Sequence, residues 1–366
     1  MVKSVYIHIP FCKTICTYCD FCKVFYNDKF VSKYLDELEK EIKTKYKGET
    51  ISTLYIGGGT PSCLSLSELE KLFSIISIFK KSKDIEFTIE CNIESLDIDK
   101  IKLFKKYGVN RVSIGVQSLN IKNIKFLGRH HTKDMVINKI FLLKENGISN
   151  INIDLIYALR NQSILDLKED LDEYLKLGVT HISTYSLMIE PNTKLYIDNI
   201  KPINEELDSD MYKFICSYLK EHNFKHYEIS NFSLEGYESK HNLTYWNNEE
   251  YYGFGVGASG YINNIRYDNT RSITTYLKGI YLDNEILLDK NATIENEFIL
   301  GFRKIKGINK NEFKNKYNKE ICDIIEIKNL LKLGRLEEND EYVFIPEKYL
   351  YISNSILVDL VGGSYE

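Results

Sequence analysis

The chain has 366 residues, with 48 Lys+Arg against 52 Asp+Glu and a formal net charge of -4. That balance excludes the basic excess by which proteins hold nucleic acid or an anionic membrane, and it points to a small-molecule partner. The apolar run before Pro10 is short, and no stretch long enough to cross a bilayer follows. The chain therefore reads as cytoplasmic, with room for one large core and a smaller one.

In chain order, the first candidate strands are Ser4–Ile9, Ser52–Ile56, Glu86–Cys91, Arg111–Val116, Asn150–Ile156 and His181–Leu187, each rich in Ile, Val, Tyr, Phe or Thr. Helical segments alternate with them. Phe30, Tyr34, Leu38, Ile42 and Tyr46 recur at i, i+4 spacing. Ser65-Leu-Ser-Glu68 is a capping-box pattern that opens a helix through about Lys80. Further helices are predicted over roughly 97–107, 132–146, 163–177 and 204–222, with Gly108, Gly147 and Gly178 where C-caps belong. Six strand-helix units in strict alternation imply parallel strands joined by right-handed crossovers, in either a doubly wound sheet or a barrel.

A seventh strand at His226–Ile229 precedes an aromatic, Asn- and Gly-rich stretch over 231–275, expected to be largely irregular. Beyond about 290, helices at roughly 294–302, 309–317 and 320–332 and strands at Arg335–Glu337 and Tyr342–Ile345 suggest a small winged-helix-like unit. Its wing, Glu338-Asn339-Asp340, is acidic, which argues against DNA. The expected division is 1–230 as an α/β domain, 231–285 as a connecting region and 286–366 as a C-terminal helical domain.

Four of the eight cysteines crowd between positions 12 and 22, while Cys63, Cys91, Cys216 and Cys322 are scattered. In a reducing compartment the crowd suggests a metal and the scattered four suggest buried thiols. Cys12, Cys16 and Cys19 form C-x3-C-x2-C directly after the first strand. Three thiolates on one cluster leave one iron open to a chelating amino and carboxylate group. A ferredoxin-like cluster with Cys22 as fourth ligand, or a zinc site, are the alternatives, although no second C-x2-C unit pairs with the first. Gly57-Gly-Gly-Thr-Pro61 follows the second strand, Glu90 and Gln117 end the third and fourth, and Asp154 lies near the end of the fifth. Singly, Glu90 or Asp154 reads equally as a helix cap. Together, polar groups at equivalent strand ends point to one shared pocket and favour the barrel.

These residues carry a resemblance. Tyr6-Ile-His-Ile-Pro-Phe-Cys12 through Phe21, Gly57–Ser62, Gly115-Val-Gln117-Ser, Leu127-Gly-Arg129-His130, Asp154-Leu-Ile-Tyr157 and Tyr185–Pro191 resemble the coproporphyrinogen oxidase-like branch of radical S-adenosylmethionine proteins over nearly the whole chain. Within that branch, Tyr227–Asn231, Gly253–Ala258 and above all the H-N-x-x-Y-W box at His241–Trp246 resemble the HemW-like heme chaperones. The resemblance implies a partial (β/α)6 barrel with a helical C-terminal domain. It also implies a 4Fe-4S cluster on Cys12, Cys16 and Cys19, and S-adenosylmethionine held by Tyr6, Gly58, Gly59, Thr60 and Glu90. Tyr18, Gln117, Arg129, Asp154 and Met188 fall where oxidase relatives hold that cofactor or a second copy.

For heme, His241 offers an imidazole, with Asn242, Tyr245 and Trp246 beside it to wall a porphyrin. The plainer alternative is that His241 and Trp246 are packing residues. The implied partners are heme or a related porphyrin and an apo-hemoprotein acceptor, with no nucleic acid. A homodimer and a weak peripheral contact with a membrane are left open. The second reading is an oxygen-independent coproporphyrinogen III oxidase. Such relatives have a longer extension before the cluster and a C-x-C pair, whereas eleven residues precede Cys12, position 21 is Phe and Cys22 is displaced by one. A plain iron-sulfur electron carrier would use neither the glycine motif nor the strand-end carboxylates.

Overall fold

The computed structural model describes residues 2–363 and 365. Six strands, β1 (Ser4–Ile9), β2 (Thr50–Gly58), β3 (Lys80–Asn92), β4 (Arg111–Gln117), β5 (Asn150–Tyr157) and β6 (His181–Ser186), lie side by side in chain order, each parallel to the next. A doubly wound sheet would reverse its order at a switch point, so this sequential winding is of the barrel type. Strands β1, β4 and β5 are buried almost throughout because helices cover them.

Those helices are α1 (Asp28–Lys45), α2 (Leu66–Ile76), α3 (Ile98–Lys106), α4 (Lys133–Glu145), α5 (Ile164–Lys176) and α6 (Glu205–Glu221). Each starts on a side-chain cap, from Asn27, Ser65, Asp97, Thr132, Ser163 and Asn204 respectively, and α2 has the full capping box expected of Ser65 and Glu68. Gly108 and Gly147 end α3 and α4 at φ of 86° and 76°, the left-handed geometry that glycine adopts without strain. Helix α2 stops at Ile76 rather than near Lys80, because Lys80 and Lys81 already pair with Thr50 and Ile51 in the sheet.

The stretch over 231–275 is not irregular. β7 (Lys225–Glu228) and β8 (Asn231–Ser233) form a ribbon whose second strand pairs antiparallel to β6. After α7 (Lys240–Trp246), β9 (Tyr251–Phe254) joins the opposite edge, parallel to β1. The meander β10 (Ser259–Ile262), β11 (Ile265–Asn269) and β12 (Leu282–Leu287) completes a sheet ordered β12-β11-β10-β9-β1-β2-β3-β4-β5-β6-β8-β7. The glycines that suggested a loop are packing requirements. A Cβ on Gly253 would lie 1.9 Å from the Ser259 carbonyl oxygen, and one on Gly260 would lie 2.2 Å from the Tyr267 ring.

The C-terminal unit comprises helices Lys290–Gly301, Lys310–Tyr317 and Ile325–Lys332 against a three-stranded antiparallel sheet of Ile308–Asn309, Tyr342–Phe344 and Glu337–Glu338. Phe298 stacks on Phe313 at 5.6 Å between centroids in its core. Among the described residues no helix is long and apolar enough to cross a membrane.

Candidate functional site

A cavity of about 410 Å³ opens at the carboxyl ends of β1–β6. Cys12 lies in a two-residue strand, Phe11–Cys12, parallel to Val24–Phe25, so the intervening loop folds back over the barrel mouth. Cys12, Cys16 and Cys19 all line the cavity. Thr60 Oγ1 lies 3.5 Å from Cys12 Sγ, Arg129 Nη1 lies 3.7 Å from Cys16 Sγ, and the Cys19 amide bonds the Cys16 carbonyl at 3.4 Å. Cys22 turns elsewhere, with its Sγ 3.5 Å from the Arg271 carbonyl oxygen.

Burial pushes the Cys12 thiol up to about 11 against the opposing pull of Thr60 and Lys23, and it raises Cys19 too. The protein alone thus disfavours thiolates here, and bound iron would supply the offsetting positive charge. Among the described residues no three His, Cys, Asp or Glu side chains gather tightly enough for a single metal ion. Three thiols that open onto one cavity suit a polynuclear cluster that takes one thiolate per iron.

The glycine turn sets the loop height. A Cβ on Gly59 would lie 2.7 Å from the Pro10 carbonyl carbon and 2.9 Å from Cys12 Sγ. Gly58, at φ 117°, presents its amide to Glu90 Oε2 at 3.0 Å, and Tyr55 donates to Glu90 Oε1 at 2.8 Å. Burial pushes the Glu90 carboxyl up to about 7, with the nearby Asp154 adding to the rise. Asp154 accepts from Asn152 Nδ2 at 2.8 Å and is itself pushed up by burial to about 6. Gln117 takes a φ of 72°, and its buried Oε1 has no hydrogen-bond partner among the described residues. Arg129, 5% exposed, is clamped by Asn92 Oδ1 at 2.9 Å, Glu94 Oε2 at 3.5 Å and the Gly115 carbonyl.

Every cofactor candidate read from the sequence lines this cavity except Tyr6. Tyr18 is on its wall and Met188, 66% exposed, is at its rim. Tyr6 instead bonds His8 Nδ1 at 2.9 Å and borders a separate pocket with Cys22, Tyr245 and Arg271.

The box at His241–Trp246 divides. His241 is 1% exposed, with Nδ1 at 2.9 Å from Thr53 Oγ1, Nε2 at 2.7 Å from the Tyr245 hydroxyl, and its ring stacked on Tyr55. With both nitrogens engaged, it takes the packing arrangement here, and a metal would have to displace one of these bonds. Burial pulls its pKa down to about 3, so the ring is neutral. Trp246 has an unpartnered indole nitrogen and Arg303 over its ring at 5.4 Å. Of the four box residues named above, Asn242 alone lines the cavity.

Sequence reasoning missed Tyr55, Asn92, Arg111, Asn152 and Ser183, which line the same space. Their signal was alternation. Polar residues recur at every second position of strands whose other positions are apolar, which marks an inward polar face where parallel strands are normally apolar on both sides.

The family model of the Radical SAM superfamily matches residues 6–174. The proteins named heme chaperone HemW in Lactococcus lactis subsp. lactis, Bacillus subtilis and Escherichia coli are 41%, 36% and 30% identical to the chain. The alignments cover 97%, 99% and 97% of this chain and 96%, 100% and 97% of theirs. The solved structure of coproporphyrinogen III oxidase (HemN) from Escherichia coli, at 21% identity, shares the fold with a TM-score of 0.86 over 99% of this chain and 90% of that one. With a strand-end cavity carrying the three cysteines, and with full-length identity at these levels, the chain belongs to the HemW family of the radical SAM superfamily.

Proposed function

We propose that the chain is a heme chaperone that holds a 4Fe-4S cluster on Cys12, Cys16 and Cys19, binds S-adenosylmethionine in the strand-end cavity, takes up heme and passes it to an apo-hemoprotein in the cytoplasm. The observation that carries the cofactor half is that three loop cysteines open onto one cavity while the fourth, Cys22, faces away from it. When bound, the cluster would supply an electron and an open iron for the amino and carboxylate groups of the cofactor. The chain's own part is placement. Gly59 lets the loop descend, Arg129 donates to Cys16 Sγ, and Glu90 presents a carboxyl whose proton is exchangeable near neutrality. Gly58, Thr60, Gln117, Asp154, Tyr18 and Met188 complete the cofactor wall, with Tyr6 acting from behind through His8.

For the heme half, support comes from the family's name, from Asn242 on the cavity wall, and from an apolar rim of Phe21, Tyr185 and Met188, which are 65%, 44% and 66% exposed. His241 and Tyr245 back that wall through Tyr55. The test is heme titration of the anaerobically reconstituted protein beside an assay of coproporphyrinogen III conversion under reducing conditions. Tight heme binding that weakens in His241→Ala, with no conversion, is the expected result. Robust decarboxylation would instead establish an oxygen-independent coproporphyrinogen III oxidase.

A further inference from the structure

Among the described residues, the cation on the floor of the cavity has no hydrogen-bond acceptor and no ion pair. Arg111 opens β4, is 2% exposed and lines the cavity with Tyr55, Asn152, Asp154 and Asn242. Among the described residues nothing accepts a hydrogen bond from its guanidinium or forms an ion pair with it, and its Nε is an orphaned buried donor. Glu90 and Asp154 are the nearby acids, and each already accepts from its own neighbours. Burial raises Glu90 to about 7 and Asp154 to about 6, so at neutral pH Glu90 is only partly ionised, while Asp154 is mostly ionised and acts on Arg111 without a hydrogen bond to it. His181 and His241 face the same charge and stay neutral, driven down by burial and by Arg111 itself. Asn242 brings a second group to this space, since its side chain makes no hydrogen bond among the described residues while its backbone amide is held by Ser239. A buried cation with no hydrogen-bonded counter-ion is costly, and a planar guanidinium with an amide donor on the same cavity matches the two oxygens of a carboxylate.

We propose that the cavity floor is a carboxylate-binding subsite in which Arg111 forms the ion pair and Asn242 donates a further hydrogen bond. The subsite deepens the functional reading above and rests on it for its occupant. That carboxylate belongs to a propionate arm of the tetrapyrrole, because the methionyl carboxylate of S-adenosylmethionine is already committed to the open iron at the cavity mouth.

Two ligand pairs test it on the intact reconstituted chain. Heme is compared with heme dimethyl ester by Soret titration, and S-adenosylmethionine with its decarboxylated analogue by equilibrium dialysis, for wild type, Arg111→Met and Asn242→Ala. The expected result is a wild-type preference of about 10- to 100-fold for heme over its dimethyl ester. That preference falls to near parity in Arg111→Met and is reduced severalfold in Asn242→Ala. The preference for S-adenosylmethionine over its decarboxylated analogue, which the open iron sets, keeps its wild-type value in both variants, and its loss in Arg111→Met overturns the propionate assignment. Wild-type parity between heme and its dimethyl ester, which needs no variant, overturns the subsite. A preference for heme that survives Arg111→Met with cluster absorbance intact does the same, as does one untouched by Asn242→Ala should Arg111→Met not fold. Failure of the wild type to bind heme at all overturns the chaperone reading and the subsite with it.

Discussion

Two buried carboxylates show how differently the two ends of the sheet are built. Glu41, where α1 meets the antiparallel meander, is 0% exposed and accepts from Lys45 Nζ at 2.8 Å, Asn269 Nδ2 at 2.7 Å, the Gly255 amide at 2.8 Å and the Tyr276 hydroxyl at 2.7 Å. Glu90, at the cavity, has two donors and a carboxyl raised by burial. The same contrast separates two buried arginines inside the barrel. Among the described residues Arg129 has four acceptors, although its Nε is left without one, whereas Arg111 has none. At Glu41, where the molecule only needs to hold together, the charge is saturated by its own chain. Where it is shaped to receive something, donors and acceptors are left short.

The largest effect should come from breaking the saturated end. Glu41→Ala strips one acceptor from four donors at once and should cost about 3–5 kcal/mol of stability, read as a lower urea midpoint. Next comes Gly59→Ala, whose added methyl meets the Pro10 backbone and Cys12 Sγ. Since Pro10 cannot retreat without carrying the loop, iron per chain after reconstitution should fall steeply while the urea midpoint moves far less than for Glu41→Ala. Equal loss of midpoint in the two variants would erase the distinction between the regions.

Glu90 supplies a pH signature that the saturated end lacks. Its folded pKa of about 7 lies above the ordinary 4.5, so between those values the native state binds more protons than the unfolded state. Stability should therefore fall as pH rises through that window and level off above it. Asp154, raised from 3.8 to about 6, extends the slope downward with the same sign. Urea midpoints of the cofactor-free protein at pH 5 and pH 8 measure the slope, and Glu90→Gln should flatten it by roughly 2 kcal/mol. An unchanged slope would mean that Glu90 is ionised throughout.

The parallel half was legible in the sequence because each level agreed there. Apolar runs, cap residues and C-cap glycines marked the same boundaries, and Cys12, Gly58, Glu90, Gln117 and Asp154 sat at equivalent strand ends. The meander was not legible. Gly253 and Gly260 carry the signature of a loop, and only the close approach of Ser259 and Tyr267 reveals them as strand glycines. The Glu41 knot was hidden for another reason, since three of its four partners lie more than two hundred residues away and a Glu on an amphipathic helix gives no sign of burial. His241 was legible only in part. Its motif was visible, but whether an imidazole nitrogen is free depends on Thr53, which only the register of β2 against α7 brings within 2.9 Å.

The smallest effects concern how the clamped arginine acts on the cysteine it touches. Arg129 places a positive charge 3.7 Å from Cys16 Sγ, and Glu94 neutralises part of that charge from the far side. Burial alone would raise the Glu94 carboxyl, but His131 and Arg129 outweigh it and hold the group at about 2, so it is ionised at neutral pH. A positive charge near an iron-sulfur cluster favours the reduced form and a negative one disfavours it. Arg129→Gln should therefore lower the midpoint potential of the reconstituted cluster and Glu94→Gln should raise it, as read by redox titration followed with electron paramagnetic resonance. A purely structural role for the pair would loosen the same loop in both variants and move both potentials the same way. Opposite signs are thus the outcome that separates an electrostatic clamp from simple packing.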